Sequence, residues 1–224
     1  MWCRSIAAAL LLVVAIVGPA QAEPRWHVVE GDNRVLLRAG LDPALGFTVG
    51  YGREFPLANT GRNWVLFGEF ATTFATFGSN GSLKPRAWLP IVRYKLFRFS
   101  TEGTFELGWT HNRNYNSVRL APGVALLPGI GGDAGRWYVD GEFAYERAIA
   151  NHVENTDYYR EVFYEDARDG WYRGTGSRFR MGLRGGFRID RWNVEIRLAH
   201  DRTERFNFPG GSPFAATLGA GMRF

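Results

Sequence analysis

The stretch that most constrains this chain is Phe214 to Phe224, FAATLGAGMRF. Phe214, Ala216, Leu218, Ala220, Met222 and Phe224 alternate with Ala215, Thr217, Gly219, Gly221 and Arg223. A two-residue period of this kind belongs to an extended strand whose two faces meet different surroundings. One face here is apolar and the other small or polar, and the sequence stops on an aromatic residue.

The same period recurs along the chain. Leu45, Phe47, Val49 and Tyr51 alternate with Gly46, Thr48, Gly50 and Gly52, and Trp64 to Phe74 continues the pattern with Glu69 on the minor face. SNGSLKP carries an Asn-Gly pair and a proline and is expected to be a loop. In Arg86 to Phe99, Trp88, Pro90, Val92, Tyr94 and Leu96 are expected to face outward and Arg93 and Lys95 inward, with RFSTEG as the following turn. Further strands are expected at Phe105 to Trp109, Val118 to Leu126, Trp137 to Tyr145, Phe179 to Phe187 and Trp192 to Leu198. Trp26 to Val29 and Arg34 to Leu41 give weaker signals. Asn151 to Gly176 lacks the period and reads as a long loop, with a helical turn around Tyr158 to Tyr164.

The first residues, MWCRSIAAALLLVVAIVGPAQA, place Arg4 before an apolar run and small residues after it, the pattern of a signal peptide cleaved after Ala22. The run falls short of the ~20 residues that a spanning helix needs. Cleavage removes Cys3, the sole cysteine, so the mature chain is expected to hold together without disulfides. Although 46% of residues are apolar and 15% aromatic, no later segment has the continuity of a membrane helix. A membrane form must therefore be a closed set of strands, since every backbone N–H and C=O in hydrocarbon needs an internal partner.

The closing strand ending at Phe224 resembles that of Gram-negative outer-membrane β-barrels, whose last residue is characteristically Phe. The resemblance implies an all-β chain folded as a single antiparallel transmembrane β-barrel over residues 23–224, after a signal peptide at 1–22. Parity promotes the Arg34 to Leu41 segment and gives ten strands, with eight as the alternative. It also implies an outer-membrane location, contact with membrane lipid and lipopolysaccharide, and recognition of the C-terminal strand by the barrel-assembly machinery.

Charged residues on the minor faces would then share the lumen: Glu69, Arg93, Lys95, Glu102, Glu106, Asp140, Glu142, Glu146, Arg180, Arg184, Arg188, Glu195 and Arg197. Antiparallel pairing about Phe163 is expected to set Glu142 against Arg184 and Glu146 against Arg180. A barrel little wider than the eight-stranded ones is nearly filled by its own side chains, which favours an ion-paired plug over a narrow, porin-like pore.

Chemistry is sparsely written. His27, His111, His152 and His200 lack metal-ligand spacing, the Gly-rich PGIGGDAG does not match a phosphate-binding loop, and no cofactor is expected. The net charge of +5 is not gathered into a basic patch, which argues against nucleic acid as a partner. Outer-membrane lipid A deacylases carry a His-x-Ser pair on a late strand. His200-Asp201-Arg202-Thr203 lacks that serine, and His200 with Asp201 and Glu146 only loosely imitates the rim of omptin proteases. A hydrolase acting on lipid A or peptides is therefore the alternative to a structural or surface-binding barrel. For binding, the long loop offers Tyr158, Tyr159, Phe163, Tyr164, Trp171 and Tyr172, side-chain types enriched in recognition surfaces, for a surface ligand the sequence does not name.

Overall fold

In the computed structural model, ten strands pair antiparallel with their neighbours, and β1 returns to β10 to close a barrel. Residues 33–42, 44–57, 62–131, 136–203 and 213–224 are described. The strands are β1 (Asn33–Leu41), β2 (Leu45–Leu57), β3 (Arg62–Thr73), β4 (Asn80–Tyr94), β5 (Phe97–His111), β6 (Tyr115–Gly131), β7 (Trp137–Asn155), β8 (Gly170–Ile189), β9 (Trp192–Thr203) and β10 (Phe214–Arg223). One short helix, α1 (Asp157–Val162), lies between β7 and β8, and among the described residues no helix is long and apolar enough to cross a membrane. The expected signal peptide at 1–22 and the strand signal at 26–29 lie outside the described residues, as does the 204–212 stretch of the loop before the closing strand.

Closure satisfies the ladder that an open sheet would leave bare at its edges. The Arg34 to Leu41 segment, weak on its own, becomes regular because both its flanks are paired. Val35 faces Met222 on one side and Tyr51 on the other, and the amide of Asn33 donates to the carbonyl of Phe224 at 3.0 Å. Its alternation sorts the wall as well: Leu37 is 56% exposed, while the adjacent Arg38 is 8% exposed.

Large apolar side chains point away from the barrel axis on every strand, among them Leu45, Phe105, Phe143, Leu183, Ile196 and Leu218, all exposed. Aromatic rings cluster at both ends of this apolar band. Phe55 stacks on Trp64 at 4.9 Å near the termini, where Trp137, Phe187 and Trp192 also lie. At the opposite end Phe47 meets Phe74 at 5.5 Å and Phe77 at 5.8 Å, with Trp109 and Phe214 further round.

Three expectations about boundaries are corrected. First, β4 begins at Asn80, so most of SNGSLKP is strand and brings Lys84 and Arg86 into the interior. Trp88 then faces inward, opposite Val65 and Glu102, and Pro90 lies opposite the buried Ser100. A bulge between Pro90 and Val92 shifts the register beyond it; such an extra residue breaks the two-residue period, which is why Trp88 and Pro90 turn inward while Tyr94 and Leu96, beyond the bulge, are exposed as expected. Second, RFSTEG lies inside β5, and the tight turn falls at Lys95, whose φ of 52° takes it out of the strand and off the inner face. Third, residues 151–155 and 170–176 of the expected loop belong to β7 and β8, leaving only 156–169 as the connection. These strand ends rise past their neighbours: β8 runs 20 residues against 9 for β1, so one side of the barrel stands well above the other.

Candidate functional site

The interior carries a continuous lattice of opposite charges, held by strands distant in sequence. At its centre Glu142 on β7 is fully enclosed, at 0% exposure. Arg184 on β8 approaches it in two-pronged fashion, Nε to Oε2 at 3.0 Å and Nη2 to Oε1 at 3.1 Å. Arg197 on β9 approaches the same carboxylate through Nε at 2.6 Å and through Nη2. Arg184 also donates through Nη1 to Glu102 at 3.2 Å, and Glu102 accepts from Arg86 at 3.1 Å. Arg86 continues the lattice to Glu69, which lies 3.7 Å from Arg38.

Towards the termini, Arg98 pairs with Asp140, Nε to Oδ1 at 2.6 Å, and lies 4.3 Å over the ring of Tyr138. Tyr138 donates its hydroxyl to Glu195 at 2.7 Å, and Glu195 also accepts from Arg38 at 3.1 Å. Towards the opposite mouth, Arg180 donates to Asp201 at 2.6 Å and to Asp42 at 3.0 Å. Glu146 accepts from Arg178 at 3.2 Å, Arg119 at 3.3 Å and Lys84 at 3.1 Å. Glu106 pairs with Lys84 at 2.5 Å and with Arg119.

The expected pairs therefore fare differently. Glu142 and Arg184 meet, but diagonally, because the β7–β8 register lies two residues from the one expected. Arg184 is opposite Asp140, Glu142 is opposite Gly182 and Glu146 is opposite Arg178. Arg180 accordingly turns from Glu146 to Asp201 and Asp42. The long guanidinium arms span a register offset that the backbone alone would not bridge. Interior charges missed from sequence include Arg38 in the weakly patterned β1, Lys84 in the part of β4 read as a loop, and Arg86, which shares a face with Trp88 and so fell on the side read as outward; alternation within the true strands would have found the first two, and the correct register the third.

A lattice of this kind is expensive to disrupt. Taking one member from a buried pair costs about 3–5 kcal/mol because its partner remains charged without compensation.

The rim candidates separate. Asp201 is buried against Arg180, whereas His200 is exposed on the outer face with its ring 5.1 Å from Phe214. Adjacent strand residues point to opposite sides, so the two form no dyad, and Glu146 lies inside the lattice. Among the described residues no group of three His, Cys, Asp or Glu side chains could hold a metal ion.

The 156–169 connection forms a cap over the taller rim. Thr156 starts α1, its hydroxyl accepting from the amide of Tyr159 at 3.3 Å. The same hydroxyl reaches the β5–β6 turn, 2.7 Å from the carbonyl of Arg113. Arg113 lies 3.7 Å over the ring of Tyr158. Tyr159 contacts Phe163 at 5.6 Å and Tyr164 at 6.0 Å, so four of the six aromatic candidates form one cluster. Phe163 and Tyr164 remain 55% and 67% exposed. Trp171 instead packs on His152 at 5.0 Å, and Tyr172 donates to the carbonyl of Arg168 at 2.6 Å. At the base of the cap Asp169 accepts from the amide of Asn155 at 2.8 Å and from Arg160 at 2.5 Å. These contacts, the Asn155 amide first, hold its carboxyl below the usual aspartate range.

No family model matches the chain, and no curated protein matches it.

Proposed function

We propose that this chain is an integral outer-membrane β-barrel, closed to ion flow, that carries an aromatic cap outside the bilayer for recognition of a ligand at the cell surface. The observation that supports it best is the sidedness of the wall: buried opposite charges within, large hydrocarbon side chains without, and aromatic rings at both ends of the apolar band. A soluble barrel would need the reverse arrangement, because an exposed apolar surface this extensive drives association in water. Hydrocarbon accepts such a wall, and the closed ladder meets the demand that no backbone group be left unpaired.

On this reading residues 1–22 are the signal peptide removed on export, both ends of the barrel domain face the periplasm, and the cap faces outward among lipopolysaccharide. The C-terminal strand is the segment offered to the assembly machinery. The central lattice serves as a plug and gives the wall the rigidity against which the cap is anchored.

Envelope fractionation and bilayer recording test this together. The protein should resist extraction by urea, require detergent, and give no stable single-channel current. Release by urea alone would overturn the membrane assignment, and charge-selective currents would overturn the plug. Recognition by the cap is tested by comparing intact protein with a Phe163→Ala, Tyr164→Ala variant for binding to lipopolysaccharide, extracellular-matrix proteins and envelope proteins. Equal binding by both would remove the cap from the interaction.

A further inference from the structure

On β2, β3 and β4 the outward face is hollowed rather than convex. Gly68 stands where its strand neighbours on that face are Leu66 and Phe70, and a Cβ placed on it would meet nothing within 4 Å. Its cross-strand partners are Tyr51 and Pro85. With Val35, Val49, Phe70 and Leu83 they border a groove of about 620 Å³. Its lining is almost wholly apolar, which suits hydrocarbon.

At the foot of this groove, towards the termini, a cation interrupts the apolar wall. Arg53 follows Tyr51 on the outward face of β2, is exposed, and lies 5.9 Å over the ring of Phe55. Its direct cross-strand partner is Asn33, whose Oδ1 accepts from the hydroxyl of Tyr51 at 2.7 Å. Among the described residues no carboxylate pairs with Arg53. An outward arginine on a lipid-facing wall is unfavourable unless it reaches the interface or an anion.

Resting on the membrane reading above, we infer that this surface binds a glycerophospholipid of the periplasmic leaflet, an acyl chain lying in the groove over Gly68 and the phosphate meeting Arg53 and Asn33. The headgroup position fits that leaflet, because Arg53 lies at the terminal end of the band beside the Phe55–Trp64 stack. A second copy of the barrel would be a poorer occupant, since it would cover the guanidinium with apolar wall and leave it uncompensated.

The test uses the full-length protein purified in dodecyl maltoside, with native mass spectrometry against added palmitoyl-oleoyl phosphatidylglycerol. Gly68→Leu fills the groove, Arg53→Gln removes the cation, and Arg147→Gln changes an outward arginine at the opposite end. A lipid adduct should persist in the wild type and in Arg147→Gln, and weaken by about tenfold or more in the other two, as loss of a charge-assisted contact implies. Unchanged adducts in Gly68→Leu or Arg53→Gln, or none in the wild type, would overturn the site, and so would a dimer that Gly68→Leu abolishes. Heat-modifiable migration of each variant on gels shows that it is folded. Solubility of the folded protein without detergent would instead overturn the membrane reading, so the two failures are distinct.

Discussion

Glu142 on β7 and Arg197 on β9 meet inside the barrel, Oε2 to Nε at 2.6 Å, although β8 stands between their strands. Arg184 from that intervening strand completes a three-way contact. One carboxylate thus compensates two guanidinium groups, which makes the members unequal. Arg184→Ala leaves Glu142 with Arg197 and Glu102 with Arg86. Glu142→Ala leaves two buried arginines around an empty centre, with Arg184 held, among the described residues, only by Glu102 at 3.2 Å and Arg197 only by Asp42 at 3.6 Å. We expect Glu142→Ala to be the more destabilising, by about 3–5 kcal/mol, with Arg184→Ala below it. Adding Arg197→Met to Glu142→Ala should recover part of the loss. Urea unfolding of the refolded protein in micelles measures all three, and equal losses in the two single variants would show that Arg197 does not share the carboxylate.

A second prediction concerns close approach. A Cβ on Gly186 would lie 2.2 Å from Cε1 of Tyr138, its cross-strand partner. Tyr138 covers the glycine and so reaches Glu195 on the strand beyond it. Gly186→Ala must push the ring away and break that hydrogen bond, at a cost of about 1–3 kcal/mol. Tyr138→Phe loses the bond without moving the ring and should cost about 1 kcal/mol more than zero but less than Gly186→Ala. If unfolding midpoints rank these two variants the other way, the ring is not pinned by the glycine.

Much of this interior was legible because a period of two assigns each residue to wall or lumen once the strand is placed. Leu183 and Arg184, or Phe143 and Glu142, could be sorted without knowing any neighbour. Pairing was less legible. Glu142 and Arg184 point inward in either of two registers, and only the backbone decides that Asp140 and not Glu142 lies directly opposite Arg184. Alternation also fails where its physical cause is absent. Past the barrel rim both faces of the β7 and β8 extensions lie outside the sorted wall, so residues 151–155 and 170–176 carry no period although they are strands. In β4 the bulge after Pro90 breaks the period within one strand, and the proline, which lacks a ladder donor, marks the irregularity without giving its size. At the rim, the adjacency of His200 and Asp201 already sets their side chains on opposite faces of a strand, and the structure keeps them apart.

Acid should loosen the cap at its base. The carboxyl of Asp169 has its folded-state pKa lowered by the Asn155 amide and Arg160. Its contribution is therefore fully present above the ordinary aspartate value of about 3.9 and is lost as pH falls through the lower folded value. Hydrogen exchange at the Asn155 amide should be slow near neutrality and accelerate beyond its intrinsic pH trend at strongly acidic pH. Asp169→Asn should expose that amide at all pH values. An Asn155 amide equally protected in Asp169→Asn would show that the carboxylate does not hold the base of the cap.

Thr156 offers the cleanest separation of cap from barrel. Its hydroxyl both starts α1 and bonds back to the β5–β6 turn, at 2.7 Å from the carbonyl of Arg113 and 3.0 Å from that of Asn114. Thr156→Ala removes these bonds and an N-cap, a local loss of about 1 kcal/mol. α1 has no buried residue, so the barrel beneath gains nothing from its packing. The variant should therefore show faster proteolysis within 156–169 with an unchanged unfolding midpoint for the barrel. Replacing the residues between Thr156 and Asp169 by a short Gly-Ser linker should likewise leave a folded, heat-modifiable barrel, because the lattice around Glu142 draws no member from the cap. Failure of that deletion to assemble would make the cap part of the folding unit, and a barrel midpoint that falls with Thr156→Ala would show the two are coupled.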